Sequence, residues 1–377
     1  MSQLIVEVVE VHEVQIHPNA DKLSLATVKG WQCIIGKDSF KKGDLVVFFP
    51  PDTLLPEKWT NKFGATTYCQ RRDGEMMRVR QTRLRGEPSF GLVVACEDAS
   101  WEKGKDVAEF YGAKKYEPPV VNTGGGFGGR GNRVLPDHPN FKHYVDIENF
   151  RNFPEVIKEG EEVVVTEKVH GTNSRIGMID DMPMAGSHHR RLMPPMGKWE
   201  NKICTFLTRV LPKRWLKGRL DPTYRRSTYW EPYLDNSTGV KSLLEALGKQ
   251  HKQVILFGEI YGEVQVLKYG LGEKLEYRAF DLFVDGKYVD YNESEHILME
   301  YKVNRVPVVY RGPFSVEKLK ELSKGKTTIN NADHVREGVV VHPIIERHDP
   351  KLGRVILKYI NDDYLLGKYY EEDTTDV

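Results

Sequence analysis

Cysteine is scarce in this sequence, and its spacing is irregular. The 377 residues contain four cysteines, at Cys33, Cys69, Cys96 and Cys204. No two of them form a CxxC pair, so the pattern argues against a zinc site and against a disulfide framework. We therefore expect reduced thiols and an intracellular protein of the cytoplasm or nucleus.

Long apolar runs and an N-terminal targeting signal are also lacking. No run approaches the roughly 18 apolar residues of a membrane helix, and hydrophobic residues make up 40% of the chain, which is an ordinary globular proportion. The start alternates apolar side chains with Glu7, Glu10 and Glu13, without the basic leader and apolar block of a signal peptide. The sequence predicts a globular protein that begins with a strand and has no membrane partner.

An excess of charge of either sign is missing as well. Lysine and arginine total 55 against 54 acidic residues, a net charge of +1, so attraction to nucleic acid would have to come from local patches. Residues 190–226 hold eleven basic and two acidic residues with aromatic side chains between them. Such a mixture binds phosphates and stacks bases, although a charged helical surface over buried aromatics fits equally well. A second basic set comprises Arg78, Arg80, Arg83 and Arg85.

The sequence divides into four regions. Residues 1–117 contain short strands with turns between them, at the spacing of a small β-barrel. Residues 118–137 form a Gly/Pro-rich linker, with six glycines among residues 124–131; a phosphate-binding loop is disfavoured because no helix start follows. Residues 138–366 mix longer strands with helices and predict an α+β domain. Residues 367–377 are an acidic tail, predicted to be disordered.

Helix and turn signals in the third region are local. Helical stretches are predicted at residues 238–250, 293–301 and 315–324, the last with Ser315 as its N-cap. Asp285-Gly286 has the composition of a hairpin turn between two strands.

Charged side chains stand at the ends of four apolar strands in this region. Lys168 follows VVVTE, Glu259 follows VILFG, Glu337 precedes GVVVHP, and Lys358 ends RVILK. Unpaired charges in apolar surroundings cost several kcal/mol, on the order of a lost buried ion pair, so these groups need one another or a charged ligand. Carboxylates bind divalent cations and lysines bind phosphates, which together suit a nucleotide with Mg²⁺. Ordinary strand-end salt bridges are the simpler alternative.

These residues belong to a longer series of motifs. The series resembles the covalent nucleotidyltransferases, that is, polynucleotide ligases and mRNA capping enzymes. The string EKVHGTN, residues 167–173, resembles the RNA ligases that seal 3′-OH and 5′-phosphate ends, and the likeness extends over residues 145–360. The motifs are KxxG from Lys168 to Gly171, GE at Gly258-Glu259, FD at Phe280-Asp281, EG at Glu337-Gly338 and the strand that ends at Lys358.

The front region has its own resemblance. HPNADKLSLATVKG, residues 17–30, is similar to the OB-type barrel of tRNA-binding proteins, and an OB module before a ligase domain resembles one branch of RNA ligases. The implied fold is α+β, with an OB-type barrel followed by a nucleotidyltransferase domain of ATP-grasp-like antiparallel sheets and helices. Three alternatives stay open: a DNA ligase, a capping guanylyltransferase, and a non-catalytic RNA-binding protein with a degenerate ligase fold.

The resemblance implies an ATP-dependent RNA ligase that works in RNA repair with Mg²⁺ or Mn²⁺. Lys168 would attack the α-phosphate of ATP, AMP would pass to an RNA 5′-phosphate, and a 3′-OH would then attack. Lys358 and His170 would join Lys168 in catalysis, Lys358 by neutralising the α-phosphate. We expect a monomer whose partner is RNA, as a nicked duplex or as free ends.

The resemblance also implies a set of nucleotide-binding residues. Phe280 would stack on adenine, and Glu259 and Glu337 would contact the ribose or hold the metal. Ile356 departs from the family, which often has a second lysine there, and Arg354 is the expected partial substitute on the same strand face. The complete set is Glu167, Asn173, Glu259, Phe280, Glu337, Arg151, Arg190, Arg191 and Arg354.

Overall fold

The computed structural model describes six stretches of the chain: residues 4–71, 76–116, 134–195, 228–262, 264–330 and 332–367. Most of the predicted linker, the basic stretch beyond residue 195 and the acidic tail beyond residue 367 lie outside them. Among the helices of these stretches, none has the length and apolar character that crossing a membrane requires.

The N-terminal part is a barrel of short strands. These are β1 (Glu7–Ile16), β2 (Leu23–Val28), β3 (Trp31–Gly36), β4 (Leu45–Phe49), β5 (Thr53–Pro56), β6 (Cys69–Arg71), β7 (Met76–Val79), β8 (Gln81–Leu84), β9 (Glu87–Phe90), β10 (Leu92–Ala95) and β11 (Lys114–Lys115). One sheet has the order β10-β4-β1-β2-β3 and another the order β11-β5-β7-β6, while β8 and β9 form a hairpin. Buried and partly buried side chains alternate along β2 and β3, as expected for strands with one face on a core.

The first strand is shared between two neighbours. Its first half pairs with β4 and its second half with β2, and the register shifts between Val11 and Glu13. A bulge of this kind bends a strand and increases its twist. The bend lets one strand of ten residues close a small barrel.

The C-terminal part consists mainly of two antiparallel sheets. Its strands are β12 (Val134–Leu135), β13 (Glu148–Asn149), β14 (Glu162–Glu167), β15 (Thr172–Ile179), β16 (Met182–Ser187), β17 (Arg191–Leu192), β18 (Gln253–Tyr261), β19 (Glu276–Val284), β20 (Lys287–Tyr288), β21 (Val308–Pro313), β22 (Gly338–Pro343), β23 (His348–Asp349), β24 (Gly353–Arg354) and β25 (Leu357–Ile360). The larger sheet runs β12-β17-β16-β15-β18-β19-β20 and the smaller β13-β25-β22-β14-β21, in which only β13 is parallel to its neighbour. The strands β23 and β24 form a separate ribbon.

Short helices connect and cover the strands. The three predicted helices are confirmed; the first and last are shorter at both ends, whereas the middle one begins two residues earlier than predicted. The Ser315 side chain caps the last one by accepting a hydrogen bond from the Lys318 amide. Asp285 and Gly286 both have positive φ, as the tight hairpin between β19 and β20 requires. The α-helices are Glu57–Lys62, Ala108–Tyr111, Glu231–Leu234, Val240–Gly248, Tyr291–Glu300, Val316–Ser323 and Asp362–Leu365; the 3-10 helices are Thr66–Tyr68, Phe150–Asn152, Thr228–Trp230 and Asn236–Thr238.

The barrel packs directly against the second part. Arg151 is 2% exposed, and its guanidinium lies over the rings of Trp31, Phe90 and Tyr359 and pairs with Asp362. Stacked cation–aromatic contacts of this kind stabilise an interface when they are shielded from water. Arg151 therefore joins the two parts of the chain, and the structure does not bring it to the predicted nucleotide site.

Candidate active site

A cavity of about 210 Å³ receives side chains from both large sheets. The larger sheet contributes Asn173 from β15, Glu259 from β18 and Phe280 from β19; Asn173 and Glu259 are paired residues on neighbouring strands. The cavity unites six of the twelve predicted site residues. Its lining comprises Tyr144, Val145, Asp146, Ile147, Thr166, Glu167, Lys168, Val169, Asn173, His188, Glu259, Phe280, Asp281, Val306, Val340, His342, Ile356 and Lys358.

Three predicted residues form an ion-paired cluster at one end of the cavity. Lys168 Nζ lies 2.5 Å from Glu337 Oε1, and His170 Nδ1 lies 3.1 Å from Glu337 Oε2. Lys168 keeps 28% of its side chain exposed, whereas Glu337 and His170 are nearly buried. The His170 amide donates to the Tyr269 hydroxyl, which fixes the backbone beside Lys168. The lysine is thus held by one carboxylate and still reaches the cavity.

The ion pair between Glu337 and Lys168 leads us to expect that the folded protein loses stability in acid. Burial opposes ionisation of Glu337, but the Lys168 charge and the His170 hydrogen bond outweigh it and lower its pKa from 4.5 to about 2. A lowered pKa in the folded state stabilises the fold above pH 4.5, and this contribution is lost as the pH falls toward 2. Over that window we expect the unfolding free energy of the wild type to fall on the order of 2 kcal/mol more than that of Glu337→Gln.

Chemical denaturation at a series of pH values measures this difference. The exposed Glu162 lies on β14, and Glu162→Gln is a matched control that should keep the wild-type pH dependence. Parallel curves for wild type and Glu337→Gln would contradict the assignment.

A second ammonium group shares the wall with Lys168. Lys358 on β25 pairs in register with Val340 on β22, and burial together with the Lys168 charge lowers its pKa. The negative charges of Glu148 and Glu337 act in the opposite direction but only partly offset these two effects. Two ammonium groups that face one cavity repel each other, so the site favours an anion between them. Ile356, at the position where a second lysine was considered, also lines the cavity.

Glu167 contributes to the site indirectly. Its carboxylate accepts hydrogen bonds from the Thr327 hydroxyl and from the Thr328 amide and hydroxyl, and lies 3.5 Å from the Arg336 guanidinium. These partners occupy the buried carboxylate, so the side chain anchors the end of β14 immediately before Lys168. A role of Glu167 in nucleotide binding stays a prediction.

The need for glycine at the last position of the KxxG motif has a steric explanation. A Cβ at Gly171 would lie 2.2 Å from the Ile260 carbonyl oxygen and 3.0 Å from Glu259 Cγ. We expect Gly171→Ala to destabilise the fold by about 1–3 kcal/mol, because an overpacked backbone contact must shift. Thermal unfolding measures the loss. Gly36→Ala is the control, since its nearest obstacle is the Ser39 hydroxyl, which rotates away. Equal melting temperatures for the two variants would contradict this reading.

The opposite end of the cavity is aromatic. Phe280 lines it, with its ring centroid 4.8 Å from that of Tyr144. The Tyr144 hydroxyl donates to Asp281, and Asp281 is bonded through both oxygens to Arg354. This buried network holds the ring pair in place, so Phe280 is positioned to stack against a flat ligand.

The prediction that Arg354 shares a strand face with Ile356 and Lys358 is wrong. The strand is interrupted: Arg354 ends β24, and β25 begins at Leu357. The Arg354 guanidinium is bound to Asp281 and to Glu346 at 2.5–2.8 Å. Because strand alternation is lost before Leu357, the Arg354 side chain does not line the cavity. It supports Tyr144 instead.

The segment GSHHRR reaches the cavity through a histidine. His188 lines it and lies 3.5 Å from Asp146, whereas Arg190 and Arg191 are not among the lining residues. The Arg191 guanidinium is 3.5 Å from the Pro136 carbonyl oxygen. The residue of this segment that the structure brings to the cavity is therefore His188, and a nucleotide-binding role for Arg190 and Arg191 stays a prediction.

Two family models match this chain. The family model described as RNA ligase matches residues 161–360, more than half of the chain. The chain belongs to the RNA ligase family. A second family model, described as an OB-fold domain, matches residues 5–96 of the ligase, which confirms the predicted barrel type. No curated protein matches the sequence significantly.

Solved structures resemble the ligase over nearly its whole length. A mutant of the Naegleria gruberi RNA ligase with ATP and Mn has a TM-score of 0.72 and 21% identity, covering 96% of this chain and 98% of that one. The same organism's ligase with PPi has a TM-score of 0.72 and 22% identity, covering 97% and 98%. At this identity the likeness shows the fold alone, and it confirms the α+β fold with an N-terminal OB barrel.

Several residues that line the ligase cavity were missed by the sequence analysis. Tyr144 and Asp146 lie in a segment without periodicity, and nothing in the sequence connects them to the motifs. Val340 and His342 alternate along β22, and a histidine in an apolar strand was a signal that could have been used.

Proposed function

We propose that this RNA ligase is ATP-dependent and joins RNA 3′-OH and 5′-phosphate ends in RNA repair. The observation that carries the proposal is the position of Lys168, a partly exposed lysine on the wall of a cavity that also holds a second ammonium group and an aromatic pair. The Naegleria structures contain ATP and Mn, AMP and Mn, or PPi. Because the fold is shared, they support ATP as the nucleotide that this ligase uses.

Three group transfers would make up the reaction. Lys168 Nζ, after its ammonium loses a proton, attacks the α-phosphorus of ATP; an N–P bond forms as the P–O bond to pyrophosphate breaks. AMP then passes to a 5′-phosphate oxygen of RNA, which frees Lys168. The 3′-OH finally attacks that 5′-phosphorus, forms the phosphodiester and releases AMP and a proton.

The cluster at Lys168 suits the first step. Attack requires the lysine to leave Glu337, and Lys358 supplies a fixed positive charge next to the phosphate that gains charge. The released Glu337 keeps its bond to His170, so the carboxylate is not left without a partner. His170 therefore positions Glu337, and we propose that Asn173 contacts the ribose or phosphate from the facing sheet.

A divalent cation fits the donor set. In the described stretches, no three His, Cys, Asp or Glu side chains converge as a closed metal site. Sites for Mg²⁺ and Mn²⁺ with nucleotides use one or two carboxylates plus phosphate oxygens and water, and Glu259 and Glu337 offer such carboxylates. When bound, the cation would neutralise charge on the phosphates of ATP.

The barrel provides a place for RNA. A concavity of about 410 Å³ on its surface is lined by the exposed Tyr68, the partly buried Phe40 and Arg80 among others, and an exposed aromatic with a cation suits a stacked base. Of the other barrel arginines, Arg78 is paired with Asp52. We propose that nicked duplex or free RNA ends bind here and that the ligase acts as a monomer in the cytoplasm or nucleus.

Two assays test the proposed function. Incubation with α-labelled ATP and Mg²⁺ or Mn²⁺ should label the protein, and sealing should be faster on RNA ends than on all-DNA nicks. Labelling by GTP in place of ATP would indicate a capping enzyme, and equal sealing of DNA would indicate a DNA ligase. RNA binding without any label would indicate a non-catalytic protein.

A further inference from the structure

A buried histidine lies at the aromatic end of the cavity, and none of the roles above uses it. His342 is 5% exposed and lines the cavity together with Val340, two residues earlier on β22. The intervening Val341 faces the hydrophobic core on the other side of the strand. The strand thus presents His342 to the cavity by its ordinary alternation.

The hydrogen bonding of His342 fixes its tautomer. Its Nδ1 lies 3.0 Å from the Pro343 carbonyl oxygen, and because a carbonyl only accepts, Nδ1 carries the proton and donates. Burial lowers the pKa of His342 to about 4, with Asp281 opposing and Arg354 and Arg305 adding to the shift. The ring is therefore neutral at pH 7, and Nε2 is an acceptor. No group in the described stretches bonds Nε2.

The strand register gives the distance between His342 and the reacting lysine. The Lys168 amide donates to the Gly338 carbonyl on β22, and His342 lies four residues further along that strand. At about 3.4 Å per residue this separation along the backbone is roughly 14 Å, comparable with the length of an extended nucleoside monophosphate. A nucleotide with its α-phosphate at Lys168 and its base beside Phe280 thus directs the far edge of the base toward His342.

We propose that His342 selects adenine by accepting a hydrogen bond from the 6-amino group through Nε2. Guanine carries a carbonyl oxygen at that position, and two facing acceptors repel each other. This inference rests on the proposed function, since it concerns the nucleotide that reacts with Lys168. It adds a specificity-determining residue that touches the base and takes no part in the chemistry.

Nucleotide analogues test the proposal on the full-length protein. We would measure the second-order rate constant of adduct formation for ATP, for purine riboside triphosphate, which lacks the 6-amino group, and for GTP. The wild type should prefer ATP over purine riboside triphosphate by about tenfold, the usual effect of one neutral hydrogen bond, and over GTP by more. In His342→Ala the preference over purine riboside triphosphate should disappear, whereas His342→Gln, which keeps an acceptor oxygen, should retain part of it.

The ratio of the rate constants for ATP and purine riboside triphosphate distinguishes a change in selectivity from a loss of folded protein. His348→Ala, which removes an exposed histidine, should keep the wild-type ratio. An unchanged ATP preference in His342→Ala would overturn the proposal, and so would a wild type that uses both purines equally, a result that needs no variant. Absence of any adduct with ATP in the wild type would instead refute the proposed function.

Discussion

Replacing Lys168 by arginine should abolish the covalent adduct while leaving the protein folded. Arginine keeps a positive charge facing Glu337, so the ion pair that Lys168 makes at 2.5 Å is replaced by another one. A guanidinium stays protonated at any pH used for proteins, so it offers no lone pair to the α-phosphorus. Incubation with α-labelled ATP should give no labelled protein, and the melting temperature should change by only a few degrees, on the order of 1 kcal/mol.

Lys287→Arg is a control for the substitution itself. Lys287 is exposed in the hairpin between β19 and β20, so this variant should be labelled like the wild type. Normal labelling of Lys168→Arg would show that another residue carries the nucleotide and would remove the basis of the proposed function.

Lys358→Ala should slow adduct formation by about 10²- to 10³-fold, the usual effect of removing one group that stabilises charge in a transition state. Lys358 lies on the same wall as Lys168, where the charges of Glu148 and Glu337 only partly offset burial and the repulsion from Lys168. Its charge is therefore available to a phosphate. Loss of a partly buried lysine that repels Lys168 should not destabilise the fold, so the effect should fall on rate rather than on melting temperature.

Single-turnover labelling measures this effect. Lys358→Arg should recover part of the rate, because it restores the charge with a different shape. Lys351→Ala removes an exposed lysine from the neighbouring turn and should react like the wild type. A Lys358→Ala rate equal to the wild-type rate would mean that the phosphate is held elsewhere.

The sequence was sufficient to predict which apolar strands are followed by a charged residue. Lys168, Glu259 and Lys358 follow apolar strands, and hydrophobic alternation places all three on the cavity wall. Strand spacing also predicted a small β-barrel and an α+β domain, and the resemblance of residues 17–30 to a known module predicted that the barrel is of the OB type. These features are local, and short-range patterns are what sequence reasoning reads well.

The failures come from breaks in local regularity. The position of Arg354 was predicted by extending strand alternation across the interruption before Leu357. No residue type in the sequence indicates this interruption. Glu337 precedes the first residue of β22, so alternation along that strand does not fix its direction; Val339 and Val341 face the hydrophobic core, while Glu337 pairs with Lys168. Arg151 was assigned to the nucleotide although its guanidinium is enclosed by the barrel.

Other parts of the site depend on tertiary packing alone. Tyr144 meets Asp281 across 137 positions of sequence, and Asp281 is in turn bound by Arg354. Such a network has no periodic signature, because each partner lies on a different element. It depends on the folded positions of Tyr144, Asp281 and Arg354, which the sequence alone does not give.

The most direct test of this account is to locate the nucleotide on the protein. After incubation with ATP and Mn²⁺, the ligase would be digested and its peptides sequenced by mass spectrometry. We expect one AMP on the peptide that contains Lys168, bound through Nζ and lost in Lys168→Arg. AMP on any other residue, or a protein that seals RNA without ever carrying AMP, would contradict it.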